Sequence, residues 1–395
     1  MGCLISAGSG SRTRTPLLAY APETYASTNS AIPATVRFKS GCKCTIVFIL
    51  CKSFSLQLEN FSMKFLILQT AFIGDVVLAT PLVEKLHRFF PDAQIDFLLR
   101  KGNEKLLTGH PHIRQVLIWD KKQDKYKGLY RIARALRREH YDWVINCQRF
   151  AASGLLTLCS GAARTAGFDK NPFSFAFSKV ARHRFGTAEQ PLHEVDRNLA
   201  LIRHLTDETF ERPRLYPSAA DMDKARHWGA GSKYVCIAPT SVWFTKQFPA
   251  HKWVELAGRI PEDHRIFLLG GKDDFDACEK IRLESGHPGA QNLAGQLSFL
   301  ESAALMQGAV MNYANDSAPI HIASAVNAPI TAVFCSTVPA FGFTPLSDQS
   351  TVVETPERLD CRPCGLHGHR ACPRGHFRCA EGIDSGRLLE VLRSV

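Results

Sequence analysis

The sequence predicts an α/β protein built as two doubly wound halves that face each other across a crevice. Three observations carry this reading. From Met63 onward, short apolar runs of strand length alternate with segments of helical period, the pattern of a parallel sheet covered on both faces. Around residues 206–231 the rhythm breaks at Pro213, Pro217 and Gly229, and it restarts at Tyr234. With 395 residues, 45% hydrophobic and 22% charged, the chain can bury more than one core.

The elements follow in order. A strand over residues 65–69 runs into a turn at Gly74-Asp75 and a helix over 76–89. Strands at 95–99 and 116–119, a helix over 126–139 and a strand at 143–147 complete the first half. The second half reads as strand 234–238, helix 253–259, strand 266–269, helix 273–283 and a short strand within 289–295. Helix 298–306, strand 310–313, helix 318–326, strand 330–334 and a last helix at 386–393 follow. This divides the chain into an extension, residues 1–62, an N-terminal half, 63–215, and a C-terminal half, 216–395. Ligands of such sheets bind outside the carboxyl ends of the strands, where loops meet helix N-termini.

The extension differs from the rest. It is rich in Ser, Thr, Ala and Gly, has no sustained period, and carries six Lys/Arg against two Glu. A true start at Met63, a basic targeting segment and a tail are the readings it leaves open. The net charge of +11 attracts polyanions without choosing among them, and no nucleic-acid-binding signature is present. No apolar stretch reaches the roughly 20 residues that a membrane-spanning helix needs. Among thirteen cysteines, Cys147, Cys236, Cys278 and Cys335 fall on expected strands and helices, as buried thiols of a reducing compartment would, so the cytoplasm is expected.

Candidate chemistry lies at strand ends. Asp75, with Gly74 before it, sits at a helix start, where it could cap the helix or accept a proton. After the strand at 234–238 come Thr240, Ser241 and Lys246, hydroxyls and one cation that suit a phosphate. Asp274, beyond Gly270-Gly271, could bond a ribose hydroxyl or cap a helix. Asp316 and Ser317 would cap the helix at 318–326, with Pro319 in its first turn and His321 one turn inside.

These segments together resemble glycosyltransferase family 9, the lipopolysaccharide heptosyltransferase family, from Met63 to the C-terminus. The family's Gly-Asp-Val-Val with a later Pro stands as Gly74-Asp75-Val76-Val77 and Pro81. Its Thr-Lys-x-x-Pro element stands as Thr245-Lys246-Gln247-Phe248-Pro249, and its Asn-Asp-Ser-Gly-Pro-x-His element as Asn315-Asp316-Ser317-Ala318-Pro319-Ile320-His321. Two residues depart from the pattern: Ala318 replaces Gly, and Phe248 replaces Trp. The resemblance implies a GT-B fold and an inverting transfer with neither metal nor cofactor. It implies ADP-L-glycero-D-manno-heptose as donor and an inner-core lipopolysaccharide sugar as a lipid-anchored acceptor. Carried over by position, it makes Asp75 the base, with Ser241 and Lys246 on donor phosphate. Asp274 would hold the ribose; Asp316, Ser317 and His321 would line the donor sugar and diphosphate. Alternatives are a GT-B enzyme for another nucleotide sugar and a non-catalytic nucleotide-sugar binding protein.

Two further features stand outside this set. Arg131, Arg134 and Arg138 share one helical face, either simply solvated or docked on anionic lipid at the inner membrane. Cys361, Cys364, Cys372 and Cys379, within 19 positions of the C-terminal tail, could hold zinc, form disulfides or remain thiols. A similar Cys-x-Pro-Cys tail occurs in part of the family.

Overall fold

A computed structural model describes residues 62–121, 125–187 and 189–393; the extension therefore lies outside the described residues but for Ser62. The strands of the first half are β1 (Lys64–Leu68), β2 (Gln94–Arg100), β3 (Gln115–Trp119), β4 (Trp143–Asn146), β5 (Arg164–Phe168) and β6 (Lys179–Ala181). They pair in parallel in the order β3-β2-β1-β4-β5-β6. The second half repeats the plan with β7 (Lys233–Ala238), β8 (His264–Leu268), β9 (Ala290–Asn292), β10 (Met311–Asn315), β11 (Ile330–Phe334) and β12 (Ser350–Glu354). Its order, β12-β11-β10-β7-β8-β9, is the same arrangement shifted by six strands. In each sheet the winding reverses between the first and fourth strands, and that is where a crevice opens at the carboxyl ends.

Central strands are apolar because both faces are covered. In β1, Phe65 and Ile67 face one apolar cluster while Leu66 and Leu68 face another. The first cluster continues into the second half through Tyr234, Phe267, Leu300 and Ile320, so the two sheets share a core. Residues 59–395 accordingly form one compact unit.

Several expectations need correction. The helix expected over 76–89 is two, Ile73–Val77 and Thr80–Phe89. The chain breaks at Leu78-Ala79, where Pro81 cannot donate and starts the second helix; the Thr80 hydroxyl donates back to Val77 O at 2.7 Å. The interrupted stretch 206–231 contains a helix, Ala219–Gly229, with Ser218 and Asp221 as a reciprocal cap. A helix after β4, Ala151–Cys159, is also absent from the expected elements. β5, β6 and β12 carry too little apolar periodicity to be found from pattern alone.

Two contacts fix how the halves meet. The first is a close approach at Gly74. A Cβ there would stand 2.8 Å from His321 Cδ2 and 3.8 Å from Ala318 Cα, so only glycine lets the β1 turn lie on the helix Ala318–Ala325. The second is the helix Glu194–Leu199, which follows β6. Its fully buried Arg197 donates to Glu194 Oε2 at 2.6 Å, to Leu192 O at 2.8 Å and to Phe341 O of the second half at 2.9 Å. Glu194 N–H donates to Gly342 O at 2.8 Å and His193 Nε2–H to Thr344 O at 3.0 Å. At its other end Asn198 donates to Leu78 O at 3.0 Å, beside the Asp75 turn.

Arg197→Ala strands a buried carboxylate at Glu194. It is expected to lower stability by about 3–5 kcal/mol, read as a fall in the denaturation midpoint. Gly74→Ala overpacks the contact with His321 and is expected to cost about 1–3 kcal/mol. His321→Ala removes the ring that the new methyl meets, so the double variant should lose less than the sum of the single losses, measured as a double-mutant cycle.

Candidate active site in the cleft between the sheets

The first wall of the cleft is built at the end of β1. The short helix Ile73–Val77 presents Asp75, whose carboxylate accepts the Phe72 N–H at 3.1 Å. Asp75 thus caps its own helix while part of its side chain stays open to the cleft. Burial pushes its pKa above the ordinary value, against the Phe72 N–H and the nearby His367, which favour the charged form. A second carboxylate lies close by: Glu194, buried beside Arg197, also has a raised pKa, mainly through burial and further through Asp75. The Asp75 charge thus adds to burial in disfavouring ionisation of Glu194.

The opposite wall comes from β7 and β10. Buried Asn315 holds it together, donating to Pro239 O at 2.7 Å and accepting the Phe248 N–H at 2.8 Å. This clamps the loop carrying Thr240, Ser241 and Lys246 against the end of β10. Thr240 and Ser241 are half-buried there, and Ser241 O accepts from the Gln247 side chain at 2.7 Å. Lys246 is not a solvated loop lysine. Its ammonium pairs with buried Asp316 at 2.7 Å, and Asp316 also accepts the Thr337 hydroxyl at 2.6 Å. An ammonium has three N–H donors, so this pair leaves donors for a phosphate.

Capping at the helix Ala318–Ala325 differs from the expectation. Ser317 occupies the N-cap position, but its hydroxyl lies 3.3 Å from Asn315 O and makes no cap bond, and Asp316 is spent on Lys246 and Thr337. The helix begins without a side chain on its first N–H groups, which point their partial positive charge outward. His321 is buried, with Nδ1 lacking a partner, and burial lowers its pKa to about 3, aided by His193 and Lys246. The imidazole is therefore neutral. Asp274 accepts the Gly271 N–H at 2.7 Å, so it acts as a turn cap at the end of β8, with its side chain half-exposed.

The structure thus brings Gly74, Asp75, Lys246, Asp316, Ser317 and His321 to one place, with Thr240 and Ser241 on the same loop as Lys246. Asp274 stands on the β8 turn of the same sheet. Sequence reasoning missed Glu194 and His367. Glu194 follows His193, whose ring and Asp196 form a reciprocal cap that does not resemble the usual Ser/Thr signature. His367 belongs to the cysteine-rich tail, where the cysteines drew the attention.

In that tail Cys361, Cys364 and Cys372 are half-buried thiols and Cys379 a buried one; Cys147, Cys236, Cys278 and Cys335 are buried thiols as expected. Among the described residues, no group of three or more His, Cys, Asp or Glu is arranged to hold a metal ion. The arginine face of the helix Lys125–Glu139 is exposed at Arg131, Arg134 and Arg138. No helix among the described residues is long and apolar enough to cross a membrane.

Known proteins share this construction. Residues 129–370 match the family model described as glycosyltransferase family 9 (heptosyltransferase). The chain is 28% identical over 279 residues to lipopolysaccharide heptosyltransferase 3 of Escherichia coli, covering 67% of this chain and 82% of that one. It is 26% identical over 310 residues to lipopolysaccharide heptosyltransferase 1 of Pseudomonas aeruginosa, covering 76% and 86%. Among solved structures, heptosyltransferase II of E. coli superposes with a TM-score of 0.69 at 21% identity, over 84% of this chain and 98% of that one. A family 9 glycosyltransferase of Veillonella parvula does so at 0.71 and 19%, with the same coverage. With two parallel sheets of one winding order meeting at an acid on one side and a lysine on the other, and with a family match over most of its described length, the chain belongs to glycosyltransferase family 9, the heptosyltransferases.

Proposed function

We propose that this glycosyltransferase moves a heptosyl group from ADP-L-glycero-D-manno-heptose to an inner-core lipopolysaccharide sugar, with inversion and without a metal ion. The observation that carries the reading is the Gly74–His321 contact, which sets a partly exposed carboxylate, Asp75, on one wall opposite an uncapped helix N-terminus and the Lys246–Asp316 pair on the other. The relatives, named for heptose transfer to lipopolysaccharide, supply the donor and acceptor classes.

The chemistry follows from the two walls. Asp75 takes the proton of the acceptor hydroxyl as its oxygen attacks the anomeric carbon. The bond from that carbon to the diphosphate breaks, and negative charge grows on the leaving ADP. Lys246 and the N–H groups after Ser317 meet that charge, the task a metal ion performs elsewhere. Thr240 and Ser241 add hydroxyl donors to phosphate, and Asp274 holds the ribose from the β8 turn. Attack from the Asp75 side with departure on the Lys246 side inverts the anomeric configuration. The acceptor is lipid-anchored, so the enzyme works at the cytoplasmic face of the inner membrane, where Arg131, Arg134 and Arg138 dock on anionic lipid.

Asp75→Ala is expected to cut transfer at least about 100-fold while donor affinity, measured by calorimetry, stays near wild type. Near-normal turnover would remove Asp75 from the mechanism. A panel of ADP-heptose, UDP-sugars and GDP-sugars should give turnover with the first alone. The pH profile tests the acid. Because the Asp75 pKa is raised, kcat/KM should fall with decreasing pH from a point above the ordinary aspartate value of about 3.9. His321, with its pKa lowered to about 3, should add no limb near neutrality. Replacing Arg131, Arg134 and Arg138 with Gln should weaken sedimentation with anionic vesicles and leave turnover on a soluble, delipidated acceptor unchanged; equal sedimentation would refute lipid docking.

A further inference from the structure

The tail from Cys361 to Cys379 is not a loose end. It returns as a strap over the loop that follows β11 and the loop that follows β7, and is tied down on both sides of a short tip. Before the tip, Arg362 donates to Cys335 O at 2.7 Å, to Thr337 O at 2.8 Å and to Glu354 Oε2 at 2.6 Å, and Cys364 N–H donates to Ser336 O at 2.9 Å. After the tip, the strap pairs with the lysine loop. Thr245 N–H donates to His369 O at 3.1 Å, and His369 N–H donates to the Thr245 hydroxyl oxygen at 2.8 Å. Ser336 lies within the same group, its hydroxyl 3.1 Å from that of Thr245.

The tip itself is Gly365-Leu366-His367-Gly368. Both glycines have left-handed backbone, φ +77° and +76°, which L side chains rarely adopt. At Gly368 a Cβ would also stand 2.8 Å from Thr245 Oγ1 and 3.1 Å from Lys246 Cγ. The strap is therefore shaped to lie flat on the Thr245-Lys246 element, and what it projects is His367. His367 keeps an exposed surface although its ring is partly desolvated, and it lies within electrostatic reach of both Lys246 and Asp75. The ties on either side of the tip hold residues 362, 364 and 369, and none of them uses the His367 ring.

We propose that His367 contacts the sugar being transferred and helps to select it. This inference rests on the proposed transfer reaction. The anomeric carbon must lie between the acceptor hydroxyl at Asp75 and the leaving phosphate at Lys246. A group flanking both residues from the open side of the cleft therefore flanks the sugar. A neutral imidazole offers one N–H donor and one acceptor, which matches a sugar hydroxyl. Burial and Lys246 both favour that neutral form. The contact would be absent from the nucleoside diphosphate alone, since ADP has no sugar beyond its phosphates.

The test compares two ligands on the full-length enzyme. In His367→Ala, affinity for ADP-heptose by calorimetry and kcat/KM for transfer should each fall at least tenfold, while affinity for ADP stays within twofold of wild type. His367→Gln keeps a donor and an acceptor and should recover most of the loss. Unchanged ADP-heptose affinity and kcat/KM in His367→Ala would overturn the proposal. So would an equal loss of ADP and ADP-heptose affinity, because that pattern marks a collapsed Lys246 loop and not a lost sugar contact. Wild-type protein that binds ADP-heptose no better than other nucleotide sugars would instead refute the donor assignment on which the inference rests.

Discussion

A missing side chain at residue 74 sets the distance between the two sheets. The β1 turn rests on the helix Ala318–Ala325 with no room for a methyl group between Gly74 and the His321 ring. Everything that could act on a substrate lies around that contact. Asp75 is the next residue along one wall, and Ser317 and Asp316 stand at the start of the helix on the other. A glycine usually gives a chain conformational freedom; here it gives proximity, and the proposed base and phosphate-binding wall could serve one bond only if they are close.

Around the contact, charge is arranged in local pairs. Lys246 sits on Asp316, and Arg197 on Glu194. Each buried charge has its opposite, so the protein bears the desolvation of the site before any ligand arrives. Asp75 is the exception. It has only a backbone N–H and distant cations, and it shares its pocket with Glu194. That imbalance is what the proposed base requires, whereas the Lys246–Asp316 pair fixes a cation at the proposed phosphate wall.

The parts of this arrangement that could be read in the sequence are those with strong local signals. Apolar runs located β1, β4, β7 and β10, the strands that carry the switch points, and β11 beside them, because central parallel strands must be apolar on both faces. Gly74, Asp75, Lys246, Asp316, Ser317 and His321 were found because they fall at strand ends in recognisable order. Edge strands such as β6 and β12 were not, since half-exposed backbone tolerates polar residues. Glu194 and His367 reach the cleft through tertiary ties made by Arg197, Thr245 and Ser336, and no spacing in the chain encodes those. The caps at Asp316 and Ser317 misled for a related reason. Asp and Ser before a helix are the expected capping residues, yet at this helix a distant lysine and threonine claim the carboxylate and leave the N–H groups open.

The ties between the halves also constrain how the cleft can close. The helix Glu194–Leu199 holds Leu78 O at one end and the 341–344 loop of the second sheet at the other. Pulling the sheets apart at this helix would break the bonds of Arg197 to Phe341 O, of the Glu194 N–H to Gly342 O and of His193 to Thr344 O together, while the Arg197–Glu194 pair stayed whole. A rotation that closed the cleft and kept these bonds would therefore turn about this helix. Because Asn198 grips the chain just beyond Asp75, such a rotation would carry the proposed base with the first half while the Lys246 wall moved against it. The polar links that fix the resting geometry would then be the axis of that rotation.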